Sequence, residues 1–288
     1  MSATEPPLTG APDTPLDRFE LVTRAVSGVV MAAAAVVGVA GGGFWFSAIV
    51  AVTAVVALRE WHRLINLGPR HGISPELLAT GLSVVVAVML IYVRHAAGLS
   101  TLIVAAGGVV AGILALWRKK PILLHMLGAV YIGGPALALV ALRQDHEHGG
   151  WIVLGVFVAV WAADIGALLL GRLIGGPKLA PALSPSKTWA GFLGGTAMAA
   201  LAFALYVALL GGSISNALIF GAFLAVIGHG GDLFESWVKR LFRAKNSGGL
   251  IPGHGGMLDR IDSLLFAAPV AAGLVFLAHF DPLAGVAL

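Results

Sequence analysis

The chain has 288 residues, 58% of them hydrophobic and 11% charged, with a formal net charge of +4 and no cysteine. Soluble domains carry about a quarter charged residues, so an ordinary soluble fold is excluded, and so are disulfides, thiolate metal sites and cysteine nucleophiles. The basic excess fits cytoplasmic loops of a membrane protein rather than nucleic-acid binding.

Residues 1–17, proline-rich and polar with no basic side chain, read as a disordered tail. Apolar segments then recur, and spans are predicted at about 25–40, 44–58, 77–93, 99–117, 122–142, 151–174, 189–210, 214–231 and 264–280. The first two are short for a hydrocarbon core of about 30 Å, which predicts tilt or partial burial. The first also resembles a cleavable signal, with Arg18 and Arg24 ahead of it, but the later helices sort their charges best when it is retained. In lipid the helix satisfies its own backbone, so the expected fold is an all-α polytopic integral membrane protein with about nine transmembrane helices. With the N-terminus cytoplasmic, all of the 18 Lys and Arg except Arg94 and Arg143 fall on the cytoplasmic side, as the positive-inside rule requires. An N-terminal helical region, 18–150, then precedes a C-terminal region, 151–288, that carries most polar motifs.

Asp164, in VWAADIGALLLGRL, lies about eight residues inside Arg172, roughly 12 Å below the membrane edge at helical rise. Such a carboxylate faces a partner or a wet cavity, with a structural ion pair as the plainer alternative. Gly166 and Gly171 beside it allow close helix approach. LAPALSPSKTWAGF is predicted to open the seventh span, with Pro185 at the start, Ser184, Ser186 or Thr188 as cap, and Lys187 in the first turn. That arrangement suits an anion, or simply a capped membrane boundary. The chain has no G-x-x-x-x-G-K-[ST] run and hence no P-loop.

In GDLFESWVKRLFR, Asp232, Glu235, Ser236, Lys239, Arg240 and Arg243 follow the spacing of one helix face, predicted to lie in the interface. Its two carboxylates need partners or a cation. In SGGLIPGHGGMLDRIDS, Asp259 and Asp262 are three apart and share a helix face. With Asp232 they offer hard oxygen ligands to Mg²⁺, while Arg260 and glycine N–H groups suit an anion. His254 fits a ligand contact or a turn equally. DHEHGG, 145–150, reads as a solvated outer loop.

Three pieces of residues 164–263 resemble the phosphatidate cytidylyltransferases, or CDP-diglyceride synthases: ADIGALLLGRLIGGPKLAPALSPSKTWAGFLGG, GDLFESWVKR and KNSGGLIPGHGGMLDRIDSL. The last, preceded at the right offsets by Ser236, Lys239, Arg240 and Lys245, is the family signature. REW at 59–61 is similar to the family's early loop. Asn246 stands where the family usually has Asp, Ile165 where it has Thr or Ser, and His229-Gly230 replaces another pair.

The resemblance implies transfer of the cytidylyl group of CTP to phosphatidate with Mg²⁺, giving CDP-diacylglycerol and pyrophosphate, in the inner membrane and facing the cytoplasm. It implies a possible homodimer. Asp232 and Asp259 would hold Mg²⁺, with Asp164 or Asp262 contributing. Lys187, Lys239, Arg240 and Arg260 would contact phosphates, assisted by Ser184, Ser186 and His254. Two alternatives stand beside it. A CTP-dependent polyprenol kinase would release CDP instead of pyrophosphate. An ion-coupled transporter would place polar groups at mid-membrane in two repeats, and no such repeat is visible. The D-G-x-x-A-R array of CDP-alcohol phosphotransferases is absent.

Overall fold

The computed structural model describes residues 18–66, 72–244, 246–249 and 255–286. The polar tail, His254 and the basic residues Arg70 and Lys245 lie outside them. Each predicted span contains a helix: α1 (Arg18–Gly41), α2 (Gly43–Ile65), α3 (Pro75–Arg94), α4 (Ala97–Trp117), α5 (Ile122–Gly128) continued through a π-helical turn (Ala129–Gly133) into α6 (Gly134–Asp145), α7 (Gly149–Ile174), α8 (Trp189–Leu209), α9 (Ile214–Leu241) and α10 (Leu258–Phe276). Among the described residues seven segments, from Gly43–Ile65 to Ile214–Leu241, are long and apolar enough to cross a membrane. Leu168, Leu201, Leu205 and Ile219 point outward from them, as a lipid-facing surface requires. The protein is an all-α polytopic membrane protein, apart from one small hairpin among the described residues.

That hairpin is the first departure from expectation. β1 (Lys178–Ala180) pairs antiparallel with β2 (Ser184–Thr188), Lys178 opposite Thr188 and Ala180 opposite Ser184. Ser184, Ser186 and Lys187 therefore sit on a strand, not in the first turn of the seventh span. Pro185 lacks an N–H and pushes Ser184 out of the α region, so the helix starts only at Trp189. Thr188 caps it, its Oγ1 accepting from Gly191 N at 3.1 Å.

The second departure is α9, which continues without a break to Leu241. The amphipathic stretch is the end of the eighth span and not a separate interfacial helix. Its glycines are paid for by close packing: a Cβ on Gly231 would lie 2.6 Å from the carbonyl oxygen of Asp262. On α7, Gly166 and Gly171 likewise let α8 approach, a Cβ on Gly166 falling 2.6 Å from Met198 Cβ.

Polar contacts gather at two ends of the bundle. At one end Arg143 Nε donates to Val39 O at 3.0 Å, Gln144 to Gly43 O at 3.1 Å, and Tyr206 to Trp151 O at 2.8 Å. At the other, buried Glu76 binds Lys120 at 2.7 Å and Arg118 at 3.1 Å, and Trp61 donates to Leu124 O at 2.9 Å. One buried apolar cluster, from Val39 to Leu283, runs through the N-terminal and C-terminal regions alike.

Candidate active site

The second end holds the charged motifs. Lys187, on β2, reaches Asp232 on α9 with Nζ 2.5 Å from Oδ2. The ammonium is buried and lacks an aligned hydrogen bond, so the contact is one of charge. Asp164 on α7 and Asp262 on α10 lie within electrostatic reach of Asp232, and Lys187 and Arg260 within reach of Asp164. Three carboxylates from three helices thus converge. The close approach of α9 and α10 at Gly231 brings two of them together. Asp164 keeps exposed surface next to exposed Ile165 while interacting with Ser263 of α10, and Arg260 and Arg240 are exposed at the same end. Arg240 Nε donates to Leu183 O at 3.2 Å, tying α9 to the hairpin turn. Ser184 and Ser186 lie on the strand that carries Lys187.

An adjoining network surrounds Lys239, with Glu235 within electrostatic reach of Asp262. Its Nζ lies 2.7 Å from Glu235 Oε2, one helical turn back, and 2.8 Å from Asp259 Oδ1. Asp259 also accepts from Ser247 N at 3.0 Å and Gly256 N at 2.9 Å, both through Oδ2. Its two oxygens are therefore engaged in holding the base of the glycine-rich segment. Lys239 and Asp259 are paired with each other, and Asp232 is paired with Lys187.

Three further residues at this end carry no role in the sequence pattern. Glu60 on α2 is 3% exposed and accepts from Leu258 N at 2.8 Å. Tyr131, in the π-helical turn, packs its ring 5.1 Å from Phe234 and 5.2 Å from Trp61. Its buried hydroxyl has no hydrogen-bond partner among the described residues and lies in electrostatic reach of Asp232, Glu235 and Asp262. His229, one turn before Asp232, packs its ring at a tilt 5.2 Å from that of Phe192, with Nε2 buried and unpartnered among the described residues. REW offered a hint of Glu60. His229 is visible only as part of the His229-Gly230 departure, and for Tyr131 the apolar surroundings give no hint.

Among the described residues no three acidic or histidine side chains form a ready metal cage. Asp164, Asp232 and Asp262 are nonetheless hard oxygen donors in mutual repulsion, opposed by Lys187 and Arg260. Such a set fits a small divalent cation that takes one or two carboxylates and completes its shell with water or phosphate oxygens.

The profile of the cytidylyltransferase family matches residues 22–278. The phosphatidate cytidylyltransferase of Brucella suis is 47% identical over 143 residues, 49% of this chain and 53% of that protein. That of Rickettsia bellii is 36% identical over 173 residues, 56% of this chain and 74% of the relative. That of Bacillus subtilis is 39% identical over 145 residues, 50% of this chain and 54% of the relative. The chain spans about half the length of the Brucella and Bacillus proteins it matches.

Proposed function

The chain belongs to the cytidylyltransferase family, and we propose that it transfers the cytidylyl group of CTP to phosphatidate, releasing pyrophosphate and CDP-diacylglycerol. The observation that carries this reading is the convergence of Asp232, Lys187, Asp164, Asp262 and Arg260 at one end of a membrane-spanning bundle. Both substrates are anionic there, one soluble and one anchored in lipid.

An ionised oxygen of the lipid phosphomonoester attacks the α-phosphorus of CTP. A new P–O bond forms, the bond to the oxygen bridging α and β phosphorus breaks, and pyrophosphate leaves with that electron pair. The nucleophile is already ionised near neutral pH, so no strong base is required. The protein's work is to offset repulsion between two anions and to stabilise charge on the departing group. Lys187 and Arg260 face the converging carboxylates and are placed to do this, with Arg240 at the rim. Mg²⁺, when bound, supplies Lewis-acid neutralisation of phosphate oxygens; Asp232, with Asp164 and Asp262, would hold it. Lys239 and Asp259 act on the scaffold, since Lys239 also holds buried Glu235 and Asp259 also holds the N–H groups of Ser247 and Gly256. Exposure of Asp164 beside Ile165, Leu168 and Leu169 supports lateral entry of the lipid, its phosphate staying at the interface. The charge distribution supports a cytoplasmic site and a cytoplasmic N-terminus.

Purified protein in detergent with CTP, phosphatidate and Mg²⁺ tests the proposal. Pyrophosphate and CDP-diacylglycerol should appear in equal amounts, with dCTP and ATP as nucleotide controls. Release of CDP would assign a kinase instead, and no turnover with phosphatidate would defeat the substrate assignment.

A further inference from the structure

Glu60 belongs to α2, far in sequence from the motifs at the catalytic end, yet it is buried within them. Its Oε2 accepts from Leu258 N at 2.8 Å and from Ser247 Oγ at 3.3 Å. These partners stand at the two ends of the glycine-rich segment. Leu258 is the first residue of α10, and Met257 before it makes no side-chain cap. A helix start leaves backbone N–H groups unsatisfied and carries partial positive charge. Glu60 answers both from a different helix.

The two glycines beside it are shaped by the carboxylate. A Cβ on Gly248 would lie 2.5 Å from Glu60 Oε1, and one on Gly256 would lie 2.5 Å from Oε2. Oε1 has no hydrogen-bond partner among the described residues. The described backbone of this segment therefore approaches a protein carboxylate. The N–H groups of Ser247, Gly256 and Leu258 are all donated to Asp259 or Glu60. The start of α10 is thus filled by the protein's own acids.

We propose that Glu60 is a positioning residue: by capping α10 and clasping Ser247, it fixes the register at which Asp259 meets Lys239 and at which Arg260 and Asp262 meet the Asp164 and Asp232 carboxylates. It touches no substrate. The assignment rests on reading this end as the active site, but its structural half does not. A displaced α10 would carry Arg260 and Asp262 away together, so the loss should fall on turnover more than on nucleotide binding.

The test combines amide hydrogen exchange at residues 247–259 with steady-state kinetics in detergent, on wild type, Glu60→Ala, Glu60→Gln and Gly248→Ala. Glu60→Ala should speed exchange at Leu258 about tenfold, the loss of one cap-strength interaction. It should lower kcat about a hundredfold while KM for CTP changes by less than about threefold. Glu60→Gln keeps one acceptor oxygen and should recover part of both. Gly248→Ala presses on Oε1 without altering Glu60, and should reproduce the kcat loss even where Glu60→Ala fails to fold. Unchanged exchange at Leu258 in both Glu60 variants would overturn the proposal. So would a fall in thermal stability with kcat intact per folded molecule. A wild type that makes no pyrophosphate would instead defeat the reaction assignment, leaving the exchange result to judge Glu60.

Discussion

Lys187 on the hairpin and Asp232 on α9 hold each other at 2.5 Å, and with the Arg240–Leu183 hydrogen bond this contact ties the strand pair to α9. Both side chains remain about a quarter exposed, 25% and 28%.

The side chains are partly exposed, which holds the pair's share in folding to about 1 kcal/mol, although the ammonium itself is buried. Lys187→Ala should therefore lower the unfolding temperature in detergent modestly. Loss of a charge at the reacting phosphates should lower kcat by about 10²–10³. Unfolding curves and pyrophosphate release on the same preparation check both. A collapse in stability with normal turnover would make the pair purely structural.

Lys239 is a different case. Glu235 is fully buried and Asp259 8% exposed, and Lys239 answers both charges. Lys239→Met leaves two buried carboxylates unpaired and should cost about 3–5 kcal/mol. Denaturant or thermal unfolding should show a loss much larger than for Lys187→Ala.

The carboxylates divide by task. Asp164→Asn, Asp232→Asn and Asp262→Asn should each raise the Mg²⁺ concentration needed for half-maximal turnover. Asp259→Asn should lower turnover without that shift, because its oxygens hold Lys239, Ser247 and Gly256. Titrating Mg²⁺ at saturating CTP separates the two classes. A shift in the Asp259 variant equal to that of Asp232 would return Asp259 to the metal.

Tyr131 buries a hydroxyl that has no partner among the described residues. Removing an unsatisfied buried polar group relieves a desolvation cost of about 1–3 kcal/mol. Tyr131→Phe should therefore raise the unfolding temperature. A lowered temperature would mean that the hydroxyl is satisfied in the membrane-embedded protein.

At Gly231 the packing leaves no room, with Phe266 Cβ 3.1 Å from the position a Cβ would take. Gly231→Ala should cost about 1–3 kcal/mol through overpacking. It should also lower turnover, since α10 must move away from α9. Thermal unfolding and pyrophosphate release measure the two effects.

The helices were legible because apolar runs of bilayer length carry their own signal. Residues 151–174 were read almost to the boundary of α7. The eighth span was ended too early, at Gly231, because glycines and charges resemble a membrane exit when the facing helix is unseen. The hairpin at 178–188 escaped because two strands of three and five residues leave no measurable alternation. Asp232 and Lys187 were visible as chemistry, their contact was not. Glu60 illustrates the deeper limit. Its partners are at Ser247 and Leu258, and nothing periodic in a sequence announces a pairing across most of its length.

In the Lys187–Asp232 contact each charge already has its counter-charge. An arriving anion must win the ammonium away from Asp232, and an arriving cation must win the carboxylate away from Lys187. Either one alone strands a charge, whereas both together exchange one neutral pair for two. Nucleotide and metal should accordingly promote each other's binding, so that occupancy by the complete complex is favoured over occupancy by either component.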